Sequence, residues 1–90
     1  MKLDFNFPIK SWVGDETSPA KDAILLALQG ADVKDEIYID KVDAWAKQLL
    51  EDGCIEVDVF DAKFIKGLII ASDLNVVGKA PIKNYINEKL

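Results

Sequence analysis

Carboxylates are the side chains of this sequence that could do chemistry, because its ninety residues include sixteen aspartates and glutamates and no histidine. Carboxylates act as an acid–base pair only where a cleft separates their pKa values, and they bind Ca²⁺ only where several oxygens converge. The densest group, between Asp32 and Asp43, lacks the spacing of a calcium-binding loop. Its acids suit the start of a helix, where negative charge is favourable. The sequence therefore predicts no catalytic residue and no metal site.

Three further motifs contain residue types that can carry chemistry in other proteins. Cys54 is the single cysteine, which excludes a disulfide within the chain, and no cation adjoins it in sequence to activate the thiol. Gly78-Lys79 lacks the glycine spacing of a phosphate-binding loop. Ser72-Asp73-Leu74 has the wrong residue order for the attachment site of an acyl-carrier domain. We expect a protein that is not an enzyme, uses no cofactor and takes no small-molecule substrate.

The charged residues predict against direct nucleic-acid binding. All eleven cationic residues are lysines, the net charge is −5, and arginine, the favoured residue for phosphate and guanine contacts, is absent. Residues 1–59 carry a net −7 and residues 60–90 a net +2. This unequal charge on the two parts of the chain favours head-to-tail association or steering toward a charged partner. The alternative is that both sets of charges simply form solvated faces.

The elements that must position these residues begin with a strand, since Leu3, Phe5, Phe7 and Ile9 alternate with polar residues. Pro8 is expected at the end or edge of that strand, and residues 10–17 are expected to form a loop. Ser18-Pro19 predicts the start of a first helix, and Gly30 is expected to end it in the left-handed conformation.

A second helix is predicted to stop at Gly53. Asp35 suits its start as a cap, although Ile37-Tyr38-Ile39 taken alone would suit a strand. The expected core stripe of the helix carries four apolar residues, with Tyr38 and Trp45 on the flank: Ile39, Val42, Ala46 and Leu49. Residues 54–58 alternate as a short second strand, and Asp58 is positioned to cap a third helix.

The apolar face of the third helix is predicted from helical spacing: Phe60, Phe64, Ile65, Leu68 and Ile69. A break is expected near Asn75, followed by a last helical segment that Pro81 kinks or restarts near Ala80.

Residues 1–90 are thus expected to form a single globular domain, since a chain this short supports one core. Its predicted fold class is helix-dominated α+β, with about four helices and two short strands. The apolar runs are too short for a membrane span and the first residues lack a secretion signal, so we expect a cytoplasmic protein.

Several short segments resemble a loosely defined group of phage and prophage proteins of unknown function. The similar segments are Lys2-Leu3-Asp4-Phe5, the acidic helix, Ile55-Glu56-Val57-Asp58 leading into Phe64-Ile65-Lys66, and Val76-Val77-Gly78-Lys79. Pro81 departs from the pattern, because a continuous last helix is expected there. The resemblance implies a viral origin, hence the host cytoplasm or the virion as location. It assigns no activity and no functional residues.

The leading hypothesis is a non-enzymatic phage-type accessory or assembly protein that acts through a protein partner or through self-association. An exposed edge on the first strand is one reason, since an unpaired edge can add a strand from another chain. The expected contact residues lie on that strand, in the following loop and in the last segment: Phe5, Phe7, Trp12, Val13, Lys79, Lys83 and Tyr85. For Trp12 and Val13, the alternative is a lid over the core.

The alternative hypothesis is a small acidic host-directed inhibitor of a nuclease or defence complex. Residues 32–43 would then imitate a nucleic acid, although Lys34 and Lys41 interrupt their negative charge.

Overall fold

The computed structural model describes residues 1–10 and 17–90, and these contain four helices and four short strands. In chain order the elements are β1 (Lys2–Asp4), β2 (Pro8–Lys10), β3 (Thr17–Pro19), α1 (Ala20–Gln29), α2 (Glu36–Asp52), β4 (Cys54–Glu56), α3 (Val59–Ala71) and α4 (Val76–Lys89). The predicted helix-dominated α+β class is confirmed, but the described residues hold four strands where the sequence predicted two. The predicted contact residues Trp12 and Val13 fall outside the described residues.

The strands form two antiparallel pairs. In the first pair, β1 lies beside β4 with Leu3 opposite Ile55. In the second pair, β2 lies beside β3 with Ile9 opposite Ser18. The predicted first strand is therefore split, because residues 5–7 turn away from β4 after the Phe5 N–H donates to the Gly53 carbonyl at 2.9 Å. The alternation of buried and polar residues continues through the break, which is why the sequence reads as one strand.

The start of α1 differs from the predicted one, whereas the helix ends at Gly30 as predicted but in another conformation. Ser18 belongs to β3, so it does not cap the helix, and Pro19 occupies the capping position without a side-chain hydrogen bond. Pairing with β2 holds Ser18 in the sheet. Gly30 ends α1 at φ −90°, so the predicted left-handed stop is wrong.

Both predicted ends of α2 are confirmed. The Asp35 carboxylate accepts the Ile37 N–H at 2.9 Å, and Gly53 ends the helix in the left-handed conformation at φ 71°. The buried face is rotated from the predicted stripe, however. Trp45, expected on the flank, is buried beside Leu49, whereas Ile39 is 48% exposed.

Asp58 caps α3 as predicted, since its carboxylate accepts the Asp61 N–H at 2.7 Å. Phe60 is not part of the apolar core face, because 76% of its surface is exposed. Asn75 caps α4 by accepting the Gly78 N–H at 2.8 Å. Helix α4 then runs through Pro81 without a break, so the predicted restart near Ala80 is wrong. Pro81 lies in the second turn of α4, so its missing N–H interrupts the backbone hydrogen bonds only near the start of the helix.

The core lies where α1, α3 and α4 meet the inner faces of the strands. Its largest fully buried side chains come from every layer: Leu3, Phe5, Ile24, Leu49, Ile55, Ile65, Ile69, Ile82 and Ile86. None of the helices in residues 1–10 and 17–90 combines the length and apolar character that crossing a membrane requires.

Candidate protein-interaction surface

The predicted contact residues of the two chain ends come together as one aromatic cluster. The Tyr85 ring packs 5.6 Å from the Phe5 ring and 5.1 Å from the Phe7 ring, measured between centroids. Phe5 is fully buried, while Phe7 and Tyr85 are half-buried. Phe5 is therefore a core residue and offers no surface to a partner. The cluster packs α4 against residues 5–7, which follow β1.

Tyr85 also covers the strand edge that the sequence predicted to be open. Its hydroxyl accepts the backbone N–H of Asp4 at 2.8 Å. The next carbonyls along the chain are used as well, because Phe5 accepts from the Lys21 N–H at 3.0 Å and Phe7 from the Ala20 N–H at 2.8 Å. These bonds occupy the backbone groups of residues 4–7 that an added strand would need. The edge is a poor docking site.

The two predicted contact lysines both lie on α4. Lys79 donates to the carbonyl of Ile70 at 2.8 Å, in the last turn of α3. A cation at this position stabilises the negative end of the helix. Lys79 therefore ties α3 to α4, and Lys83 is half-buried one turn further along.

The thiol of Cys54 is half-buried in β4, as the sequence predicted. Loss of hydration raises the pKa of Cys54 above its ordinary value, and the nearby Asp4 carboxylate raises it further. The Asn6 amide donates to the sulfur over 3.7 Å, and the thiol donates to the Asp52 carbonyl over 3.6 Å. At neutral pH the group is a protonated thiol and hence a weak nucleophile.

Asp61 is a buried acid at the start of α3, and its partners account for it. Lys41 of α2 donates to both carboxylate oxygens, at 3.1 and 3.3 Å. This hydrogen bond raises the pKa of Lys41. Beside the pair, the rings of Tyr38 and Phe64 stack with their centroids 4.0 Å apart. The two contacts join α2 to α3 and give Asp61 a structural role.

Among the described residues, a groove of about 620 Å³ lies between the ends of α1 and α3. We call it the α1–α3 groove. Leu26 stands on one side and is 65% exposed. Further lining residues come from α3 and from the turns after both helices: Ala31, Asp32, Leu68, Asp73 and Leu74. An apolar groove with two acids on its rim suits an apolar segment that carries a cation.

The backbone adds to the negative character of this groove. Helices α1 and α3 both end at it, and each C-terminus carries partial negative charge. The last turn of each helix lacks a basic residue. Asp32 and Asp73 are both exposed, and none of the described lining residues is a lysine. Two carboxylates and two helix ends therefore give negative potential around the leucine side chains, and Lys79 offsets part of that charge at the end of α3.

A second, smaller groove of about 400 Å³ lies between α1 and α2. It is lined by the stripe that the sequence assigned to the core of α2, including Ile39, Val42 and Ala46, with Val33 across from them. The stripe is apolar as predicted, but the end of α1 covers only part of it. The two grooves share Ala31 and so flank the end of α1 on either side.

Sequence reasoning missed the α1–α3 groove. The available signal was Leu26, which follows Leu25 and falls outside the stripe formed by Ala23, Ile24, Ala27 and Leu28. A single exposed apolar residue is ordinary, and it marks a binding surface only where others adjoin it, as Leu68 and Leu74 line the same groove here. The joining of the α1 and α3 ends has no such local signal, because it depends on how the helices pack.

Within the described part of the chain, no group of three or more histidine, cysteine, aspartate or glutamate residues is arranged to hold a metal ion. Comparisons of this chain with protein-family models, with curated proteins and with solved structures gave no match.

Proposed function

We propose that this chain is a non-enzymatic protein-binding domain, and that the α1–α3 groove docks an apolar segment of a partner protein that carries lysine or arginine. The observation that carries the proposal is the position of Leu26, exposed beside a groove at which two helix C-termini and two carboxylates meet. Burying an exposed leucine side chain contributes roughly 1.5–3 kcal/mol at full burial. The acids contribute orientation and rate of encounter more than affinity.

The charge of the groove selects among partner classes. Phosphate groups would approach two carboxylates and two negative helix ends, which is unfavourable, whereas a cationic side chain would be attracted. An apolar floor also suits the buried face of an amphipathic helix, whose anchors repeat every three or four residues. The expected occupant is thus one amphipathic segment with a basic flank.

The phage-type accessory role and the host-directed inhibitor both stay predictions. The two differ in the surface that they use. The inhibitor requires the acidic residues 32–43 to imitate phosphates, so its binding would depend on α2. The accessory role requires the α1–α3 groove.

The proposal is tested by titrating the isotope-labelled chain with a short amphipathic helical peptide of leucine and lysine, followed by amide and methyl NMR shifts. We expect saturable shifts at Leu26, Leu68 and Leu74, and we expect Leu26→Glu to abolish them. Leu50→Glu is the matched control, because Leu50 is 69% exposed on α2, away from the groove. A peptide of leucine and glutamate should not bind.

Two results would overturn the proposal. Shifts that concentrate on the exposed acids of α2 would mean that the peptide binds by charge alone. Equal loss of binding in Leu26→Glu and Leu50→Glu would mean that the groove has no special part. Far-UV circular dichroism of each variant establishes that the fold is kept.

A further inference from the structure

The outward face of α3 carries exposed apolar residues around a single exposed lysine, Lys63. Phe60 and Ile70 are largely exposed on it, and Val59 is exposed beside them. The opposite side of the helix is already buried through Ala62, Ile65 and Ile69. Exposed apolar residues that adjoin one another mark a surface that a partner can cover.

Gly67 lies in the middle of this face and has no evident purpose in a single copy of the chain. Apart from its chain neighbours and its own helix backbone, no described atom lies within 4 Å of the position that a Cβ would take. Glycine inside a helix costs about 1 kcal/mol relative to alanine. A missing side chain is useful where a second backbone approaches closely, and none does within the described chain.

The spacing along α3 connects Gly67 with the α1–α3 groove. Phe60 lies seven residues before Gly67 and Ala71 four residues after it, so both fall on the side of the helix that Gly67 occupies. Ala71 ends the helix and lines the groove together with Leu74 of the turn that follows. If two α3 helices cross antiparallel at Gly67, residues equally far before and after it lie opposite each other. Phe60 of one copy then reaches the level just beyond Ala71 of the other, where the turn that carries Leu74 begins.

We propose that a second copy of this chain occupies the α1–α3 groove. The two copies pair through α3 across a twofold axis at Gly67, and each inserts its Phe60 ring beside Leu26 and Leu74 of the other. This inference rests on the proposed function and names the partner. The contact is isologous, so one pairing fills both grooves and closes the assembly at two chains.

The charges fit this antiparallel arrangement. Lys63 lies one turn from Phe60 and four residues before Gly67, so it faces the level of Ala71, where α3 of the other copy ends. A cation is favourable at that end, and Asp73 lies just beyond it. Lys79 lies on the α4 side of the same end and is held by the Ile70 carbonyl. Each copy therefore supplies both the cation and the acid.

The size of the contact sets its strength. The helical face from Phe60 to Ala71, where α3 ends, is about 16 Å long at the helical rise, and it is one helix wide. Stable dimers bury roughly 800 Å² on each partner, and smaller contacts are transient. The pair is accordingly a weak, rapidly exchanging dimer that forms at high protein concentration.

Sedimentation equilibrium of the full chain, run to concentrations on the order of 1 mM, tests the inference. We expect the average mass to rise from 10.0 kDa toward twice that value. Phe60→Ala should weaken association at least tenfold, whereas the equally exposed control Leu50→Ala should leave it unchanged. Gly67→Leu should abolish association and keep the circular dichroism of the wild type, because the space around it is open in one copy.

A mass that stays at 10.0 kDa throughout, or equal weakening by Phe60→Ala and Leu50→Ala, would overturn the pairing. The leucine–lysine peptide separates this failure from failure of the proposed function. If the wild type is monomeric but the peptide binds the groove and Leu26→Glu does not, the docking function stands and the self-pairing is refuted. If the chain dimerises unaffected by Leu26→Glu and the peptide does not bind, the docking function is refuted.

Discussion

Replacing Gly53 and Gly67 separately with alanine should change the free energy of unfolding in opposite directions. Gly53 has φ 71°, a conformation that costs other residues roughly 1–2 kcal/mol. Its new Cβ would also overlap the side-chain amide of Asn6, whose Cγ would lie only 2.6 Å away. Gly67 has neither problem, since its φ is not positive and its Cβ position is open.

The magnitude for Gly53→Ala includes the hydrogen bonds that Asn6 must give up. The Asn6 amide donates to the Asp52 carbonyl at 2.8 Å and to the Asp4 carboxylate at 2.9 Å. Each such bond contributes about 0.5–1.5 kcal/mol. With the backbone cost, we expect a loss of roughly 2–5 kcal/mol. Gly67→Ala should gain about 1 kcal/mol through helix propensity alone.

Urea unfolding followed by far-UV circular dichroism at low protein concentration measures both changes, because dilution keeps the chain monomeric. In thermal unfolding of a domain of this size, a change of 1 kcal/mol in the free energy of unfolding shifts Tm by about 4–8 °C. Gly30→Ala is the control, since Gly30 has φ −90° and its Cβ would make ordinary contact with the Leu26 carbonyl at 3.5 Å. A neutral Gly53→Ala, or a Gly67→Ala that destabilises the monomer, would refute the reasoning.

Three further changes test the hydrogen bonds and charges described above. The Asn6 backbone N–H donates to the Asp4 carboxylate and lowers the pKa of Asp4. The stability that ionised Asp4 contributes is therefore present above about pH 4 and disappears as the pH falls through the lowered pKa. Asp4→Asn should flatten this acid limb of the stability curve in pH-dependent urea unfolding. Tyr85→Phe removes the acceptor of the Asp4 N–H, and should cost about 0.5–1.5 kcal/mol by the same assay, with less if water replaces it. The hydrogen bond to Asp61 raises the pKa of Lys41. The stability difference between wild type and Lys41→Met should therefore be complete below about pH 10.5 and should shrink as the pH rises through the raised pKa. A difference that stays constant to the highest pH would contradict the ion pair.

Local signals in the sequence predicted the ends of several elements correctly. Asp35, Asp58 and Asn75 mark helix starts because each short polar side chain accepts a backbone N–H within its own helix. Gly53 marks a helix end because only its own φ matters. These features depend on a few neighbouring residues, and the sequence contains all of them.

The incorrect predictions concern residues whose state depends on distant partners. Ser18 looks like a helix cap, but pairing with β2 holds it in a strand. Phe60 has the spacing of a core residue, but the core lies on the other side of α3. Phe5 looks like an edge residue because the sequence does not show that Tyr85, eighty residues later, covers that edge. Packing between elements decides each of these cases.

The α1–α3 groove follows the same rule. Leu26 could have been noticed, but its meeting with Leu68, Asp73 and the second helix end requires the fold. The expectation of partner binding through unequal charge stays a prediction. In the proposed pairing, the negative charge comes from Asp32, Asp73 and the helix ends, and the complementary cation is Lys63.

An isotope-filtered NOE spectrum of mixed labelled and unlabelled chains tests the central claim most directly, because it detects only contacts between copies. At concentrations where the sedimentation mass exceeds 10.0 kDa, the account predicts cross-peaks from the Phe60 ring protons of one copy to the Leu26 and Leu74 methyl groups of the other. Cross-peaks that instead join Leu50 or Ile37 of α2 to the second copy would contradict it, since the groove would then be empty in the assembled state.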